Sequence, residues 1–329
     1  MNIAIVGATG LVGREIIKLC EEFLPNTTNY TLFASSKSAG DKLNIKGNEY
    51  EVKELTENNI GSYDVSLFSA GGERSRNYAE IFTSKGSYVI DNSSAFRMEE
   101  EVPLVVFGIN ENVITEQTTL ISNPNCTTMG LVMALKPLHD KYNLTNIVPV
   151  AYQAVSGSGS EALKSLAKEE SLGETLDSNY DKGFYQRPIA RNVIPLAGNL
   201  TENGYSDEEM KFVNESRKIL DIPELIVEPS NARVGVKTGH GIFCSATFEN
   251  EVEVGEAIGL IESFGGVEYW KDKLPTPLDA EGNKEVLVGR MRKGLSDNKT
   301  LNFWVVVDNL LKGAALNAVQ IASYILEND

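Results

Sequence analysis

Histidine is the scarcest chemistry-bearing residue in this chain, with two in 329 positions, His139 and His240. Any imidazole proton chemistry near neutral pH therefore has two candidates. Cysteine is nearly as rare, and three residues (Cys20, Cys126, Cys244) without C-x-x-C or His-rich spacing argue against a disulfide framework and against a zinc site. No apolar run approaches the ~18 residues that span a bilayer, and residues 1–13 carry neither a charged leader nor a cleavage site, so a cytoplasmic protein that crosses no membrane is expected. Positive charge is also in short supply, with 30 Lys and Arg against 46 Asp and Glu and a net charge of −16. With nothing basic concentrated in one stretch, nucleic acid and anionic membrane surfaces are poor partners. An anionic small ligand would need Lys or Arg placed locally. The chain has no internal repeat and no low-complexity linker, and at 42% hydrophobic and 23% charged residues it reads as globular, long enough for two cores.

What is present begins with Ser122-Asn123-Pro124-Asn125-Cys126-Thr127-Thr128, which places a cysteine where a loop turns into a helix. Asn123 or Asn125 can act as N-cap, and the apolar spacing from Thr127 to Leu135 predicts a helix with Cys126 in its first turn. Unpaired backbone N–H groups and the positive dipole end favour a thiolate there, lowering a pKa that starts near ~8.5. The same N–H groups could stabilise an oxyanion on a carbonyl that the sulfur attacks. A half-buried structural cysteine is the other reading of such a position. His240, bracketed by Gly239 and Gly241, is open to close approach and suits an acid/base, whereas His139 follows Pro137 at the far end of the Cys126 helix and suits a structural role. Cys20 lies one turn from Ile16 and Cys244 alternates with Ile242 and Ala246, so both read as core.

Asn2–Val6 reads as a buried strand, followed by the glycine turn Gly7-Ala8-Thr9-Gly10-Leu11-Val12-Gly13 and a helix through Cys20. Strand, glycine turn and helix form the context of a dinucleotide fingerprint, where the backbone approaches a pyrophosphate at a helix N-terminus. The second strand, Tyr30–Ala34, runs into Ser35-Ser36-Lys37-Ser38-Ala39-Gly40 instead of an Asp or Glu for a ribose 2′-hydroxyl. A cation among hydroxyls suits a 2′-phosphate, which favours NADP over NAD. Further strands are expected at 65–69, 88–91 and 104–107. The first leads into Ala70-Gly71-Gly72, and the second into Asn92-Ser93-Ser94-Ala95-Phe96-Arg97, where Arg97 is a candidate anion ligand. Beyond the Cys126 helix come an extended run at 147–155, a serine-glycine turn at 156–160, an amphipathic helix at 161–170, polar loops at 174–206 and an acidic helix opening near Ser206. β-like runs at 226–249, 285–293 and 301–308 surround a helix at 254–264, and an amphipathic helix closes the chain. The expected fold is α/β: an N-terminal Rossmann-like dinucleotide domain (1–126 with 312–329), an inserted α+β domain for catalysis and dimerisation (127–311), and a C-terminal helix returning to the first domain.

Together these segments resemble the aspartate-β-semialdehyde dehydrogenase family, from residue 3 to about 325, through GATGLVG, SSKSAG, DNSSAFR, SNPNCTT, YQAVSGSG, NGYSDEEMK, R-x6-H and DNLLKGAA. The resemblance implies an NADP-dependent enzyme that reduces aspartyl phosphate on the way to lysine, threonine and methionine. It implies Cys126 as the acyl-accepting nucleophile, His240 as acid/base and Gln153 as the group orienting the thioester. Arg233 would hold the substrate α-carboxylate, Glu208 its ammonium, and Arg97, Asn125 and Lys211 the phosphate. On the nucleotide side it implies Gly7, Thr9, Gly10, Leu11 and Val12 of the glycine turn, then Ser35, Lys37 and Ser38. Gly71 and Gly72 complete that domain's share, and Ser156, Gly157 and Asn309 are implied from the second domain. A homodimer and no metal are implied as well. Three positions depart from the family pattern: Gly241 follows His240 where serine is common, Gly235 replaces a proline, and Lys37 stands for an arginine, which should weaken 2′-phosphate selectivity.

The chemistry asks for such a nucleophile, because a carboxylate cannot accept hydride and an activated acyl group must be kept from water; a thioester does both. Two related enzymes remain open at this point, an N-acetyl-glutamyl-phosphate reductase, whose family carries Pro-Gly-Cys where this chain has Pro124-Asn125-Cys126, and a malonyl-thioester reductase. A non-catalytic NADP-binding paralogue is the rival from another class.

Overall fold

The computed structural model describes every residue except 178, 182 and 329. It divides into two units, Met1–Asn125 joined by the segment from Ala314 onward, and Cys126–Gly313.

In the first unit, β1 (Asn2–Val6) is buried from Ile3 to Val6, as expected of a central strand covered on both faces. The chain continues through α1 (Leu11–Phe23), β2 (Asn29–Ala34), β3 (Lys42–Ile45), β4 (Asn48–Glu54), β5 (Val65–Phe68), α2 (Gly72–Ser84), β6 (Tyr88–Asp91) and β7 (Leu120–Ser122). Seven strands lie in the order β3-β4-β2-β1-β5-β6-β7, parallel throughout apart from the antiparallel β3–β4 hairpin at one edge. A core of Phe33, Phe68, Phe82 and Val89 fills one side, with Phe82 edge-on to both other rings. Each such fully buried side chain contributes roughly 1.5–3 kcal/mol.

One strand expectation is corrected. Residues 104–107 do not form a strand: only Leu104 makes a bridge, to Ser122, and the sheet is completed by Leu120–Ser122. Val105 N–H still donates to the Ser122 carbonyl at 3.0 Å, but beyond it side chains take the backbone donors: Val106 N–H donates to Asn110 Oδ1 and Phe107 N–H to Asn317 Oδ1, at 2.9 and 2.8 Å. Asn317 also donates to the Val105 carbonyl at 2.9 Å, so the C-terminal helix is tied to this loop.

The second unit opens with α3 (Cys126–Tyr142), then β8 (Leu144–Gln153), α4 (Ser160–Ser171), β9 (Val193–Ile194), α5 (Asp207–Leu220), β10 (Ile226–Val227), β11 (Ser230–Val234), β12 (His240–Phe248), α6 (Val254–Ser263), β13 (Val267–Trp270), α7 (Pro277–Ala280), β14 (Val286–Lys293) and β15 (Thr300–Val307). The last helix, α8 (Leu316–Asn328), packs on α1 in the first unit. The second sheet is mixed, in the order β13-β14-β15-β12-β8-β11-β9, with β10 beside β8. Its strands alternate: Ile147, Ala151, Ile242, Cys244, Ala246, Leu301 and Phe303 are buried on the side that carries α3, while Val148, Tyr152, Phe243 and Trp304 on the opposite face are not fully covered. The polar 174–206 stretch is mostly irregular, with β9 as its one described strand; positions 178 and 182 within it lie outside the described residues.

Candidate active site

In the first unit the chain reverses at the end of β1 through Gly7, whose φ is +91° and where a Cβ would lie 2.2 Å from the Ser69 carbonyl oxygen. Only glycine satisfies both conditions. Gly7 and Ala8 donate to the Phe33 carbonyl at 2.8 and 3.0 Å, which locks the turn against β2. Gly10 is the N-cap of α1, with no acid in the first turn, and no side chain caps the first N–H groups of the helix. A pocket opens there, lined by Val6, Gly7, Thr9, Gly10, Ala34, Ser35, Leu55, Ser69, Ala70 and Arg74. Lys37 and Ser38 sit in a short turn after β2, with Thr9 Oγ1 donating to Ser38 Oγ at 3.4 Å; Gly71 (φ +87°) caps α2, and Gly72 begins it. Arg74 was not foreseen, although its place in the first turn of the helix after a glycine pair was a legible signal.

Arg97 is buried, and its Nε and Nη2 donate to the carbonyls of Asn123 and Asn92, both at 2.9 Å. It thus braces the loop that leads into the Cys126 helix. Asn123 does not serve as N-cap: its Oδ1 accepts from Asn317 Nδ2 at 2.5 Å, and its amide donates to Asn92 Oδ1 and the Ala314 carbonyl at 2.7 and 3.0 Å. Asn125, buried, is the residue immediately before the helix.

In the second unit Cys126 is the first residue of α3 and half-buried, as the spacing predicts. Two close approaches and one strand pairing orient the helix that Cys126 begins. A Cβ on Gly130 would lie 2.7 Å from Val307 Cγ1, so α3 crosses β15 one turn after the cysteine. Val307 is the ladder partner of His240. Gly313 closes against Cys126, where an added Cβ would stand 2.8 Å from the cysteine Cβ. The helix crossing and the strand register therefore bring Cys126 and His240 to the same end of the sheet.

His240 is fully buried. The Ala154 N–H donates to its Nδ1 at 2.9 Å, so Nδ1 holds a lone pair and the neutral ring carries its proton on Nε2. Nε2 has no protein partner. The pKa is pushed down to about 3, chiefly by burial and further by the Arg233 charge, with Glu208 opposing. Gly157 stands over this edge: a Cβ there would be 3.3 Å from both His240 Nε2 and Arg233 Nη1. Arg233, on β11, is buried; its Nη1 donates to the Ala154 carbonyl at 2.8 Å, its Nε has no partner, and its guanidinium lies 6.0 Å from the Tyr185 ring centroid. One residue, Ala154, thus positions His240 through its N–H and Arg233 through its carbonyl. Gln153, next to it, reaches Glu208 at 3.5 Å, and Glu208 pairs with Lys211 one turn along α5. The start of α5 is set by a capping box between Ser206 and Glu209, and Glu209 also accepts from the Asn231 N–H at 2.9 Å, joining α5 to the strand that carries Arg233. Ser156 and Asn309 are buried against each other, and Asn309 Oδ1 also accepts from the Gly239 N–H at 3.0 Å, which holds the approach to His240. Sequence reasoning missed Ala154 and Tyr185. A backbone N–H leaves no trace in residue type, and Tyr185 lies in an aperiodic loop.

Two departures from the family pattern have steric causes. A Cβ on Gly241 would fall 2.2 Å from Trp304 Cη2, and one on Gly235 would fall 2.7 Å from the Ile189 carbonyl oxygen. His139 accepts from the Leu144 N–H at 3.1 Å in a structural role, and Cys20 and Cys244 are core, with burial pushing the Cys20 thiol up to about 12.

Two family profiles match the chain: "Semialdehyde dehydrogenase, NAD binding domain" over residues 2–117 and "Semialdehyde dehydrogenase, dimerisation domain" over residues 135–312. The aspartate-semialdehyde dehydrogenase of Corynebacterium glutamicum is 43% identical, with 99% of each chain covered, and that of Bacillus subtilis is 41% identical over 98% of this chain and 96% of the relative. The crystal structure of aspartate semialdehyde dehydrogenase II from Vibrio cholerae complexed with ASA superposes with a TM-score of 0.94 at 35% identity, covering 100% of this chain and 98% of that one. A cysteine at a helix start, a buried histidine whose Nε2 has no hydrogen-bond partner and lies near an arginine, and a pocket at the glycine turn stand in a chain matched end to end by these enzymes, and it belongs to the aspartate-semialdehyde dehydrogenase family.

Proposed function

We propose that the protein catalyses the NADPH-dependent reductive dephosphorylation of L-aspartyl 4-phosphate to L-aspartate 4-semialdehyde, reversibly, through a thioester on Cys126. The observation that carries this reading is the placement of Cys126 at the start of α3 and of His240 and Arg233 at the same end of the sheet, all within the second unit. The Vibrio relative solved with ASA supports the substrate class.

Cys126 attacks the acyl carbon, the C–O bond to phosphate breaks, and phosphate leaves with the bonding pair. The α3 N-terminus stabilises the oxyanion of that tetrahedral stage. NADPH, bound, supplies hydride to the thioester carbon. The tetrahedral alkoxide then re-forms its carbonyl and expels the Cys126 thiolate. His240, with its proton on Nε2, donates a hydrogen bond to the oxyanion and keeps that proton at collapse. Arg233 is proposed to bind the α-carboxylate, a reading supported by its Nε, which no protein group satisfies. Glu208 is proposed for the ammonium, Gln153 for orienting the thioester, and Lys211, Arg97 and Asn125 for the phosphate. The nucleotide turn of Gly7, Thr9 and Gly10 fits a dinucleotide because its cradle tolerates no Cβ at Gly7 and leaves the α1 N–H groups uncapped. Absence of a carboxylate after β2 favours NADP. We place the product in lysine, threonine and methionine biosynthesis and the protein in the cytoplasm as a homodimer.

The test is phosphate-dependent reduction of NADP by aspartate semialdehyde, for wild type and Cys126→Ala. Turnover that requires phosphate and falls on the order of 10⁴-fold or more in the variant is the expected result. Wild-type NADP binding without turnover on this substrate refutes the reading and favours a malonyl thioester as the next substrate to try.

A further inference from the structure

We infer that Arg74 is the residue that recognises the 2′-phosphate of NADP and so discriminates it from NAD. The inference rests on the proposal that the glycine-turn pocket takes the adenosine half of the nucleotide. The sheet order β2-β1-β5 makes the end of β1 the floor of that pocket; Ser35, after β2, stands on one wall, and Arg74, from the helix after β5, on the other. Among the described residues Arg74 is the one charged side chain in the pocket lining, and no carboxylate accompanies it there. That charge pattern suits an anionic substituent. A ribose diol would be served by a carboxylate, which would repel phosphate. The guanidinium is anchored at a single long contact, Nη1 to the Ala70 carbonyl at 3.3 Å. Five N–H donors in a rigid fork leave capacity for a bidentate grip on a phosphate. Lys37, the cation expected from the sequence, belongs to the short turn beyond Ser35 and is not part of the lining.

Calorimetric titration of NADP and of NAD into wild type, Arg74→Ala and Arg74→Lys, each at low and high salt, tests this. Arg74 is exposed, and thermal melts check that the variants stay folded. Arg74→Ala should weaken NADP about tenfold to a hundredfold while NAD moves less than about twofold, the size expected for lost charge-assisted hydrogen bonds. Arg74→Lys should fall between, and the salt sensitivity of NADP binding should drop in Arg74→Ala. Equal losses for both nucleotides would overturn the inference by placing Arg74 on a shared part of the ligand. So would unchanged NADP affinity, or a wild type that binds both nucleotides equally. A folded wild type that binds neither would instead remove the nucleotide proposal itself.

Discussion

A neutral imidazole held by a backbone donor beside a guanidinium has a pH signature. Burial and Arg233 depress the His240 pKa to about 3 in the folded protein, against about 6.5 unfolded. The unfolded chain therefore takes up a proton first as pH falls. Stability is full above about 6.5 and is lost below it, at up to about 1.4 kcal/mol per pH unit. His240→Gln should show a smaller loss of melting temperature between pH 7.5 and pH 5 than wild type; parallel losses would contradict the buried neutral state. His139, also depressed by burial, acts in the same direction but is present in both proteins, so the difference isolates His240. At this scale much was legible. Cys126 and His240 were singled out by local context, a helix start and two flanking glycines. The Ala154 N–H and Arg74 were not, because their importance depends on what lies opposite them in space.

Elements came through where the pattern was long. The helices on Cys126 and Ser206 and the long strands of the second sheet follow from periodicity and caps. Failures occurred where burial and pairing part company. Residues 104–107 are apolar yet pair only at Leu104, because beyond Val105 the side chains of Asn110 and Asn317 satisfy the backbone that a strand would have used. The β3–β4 hairpin went unseen although its turn, Lys46-Gly47, has positive φ at both positions, 51° and 82°, as a tight hairpin turn requires. Strand β12 offers a test. Gly241→Ala puts a methyl into the Trp304 ring and should cost about 1–3 kcal/mol, lowering the melting temperature. In a Trp304→Phe background the same change should cost less, since the two positions share one space. An unchanged penalty would place the strain elsewhere.

For the whole molecule, the open face of the second sheet is the informative surface. Val148 is 41% exposed, and Tyr152, Phe243 and Trp304 form a partly covered aromatic group beside it. An apolar sheet face of this kind, in a domain matched by a dimerisation profile, is where the proposed homodimer would close. Light scattering should give twice the 36.0 kDa chain mass for wild type, and Val148→Asp should shift it toward one chain, because an unpaired buried carboxylate is costly. A wild-type mass of one chain would reject the dimer.

The glycine turn, the helix start at Cys126, the α/β class and the family can be read from the chain alone, because each is written in residues close together along it. Tertiary structure decided which of these groups meet. Helix α3 crosses β15 at Gly130, β15 pairs His240 with Val307, and β11 brings Arg233 to Ala154, all through contacts between residues distant in sequence. Those contacts depend on strand register and on volumes filled by neighbours. A slip of one residue would turn every side chain of a strand to the other face, and no short motif encodes that choice.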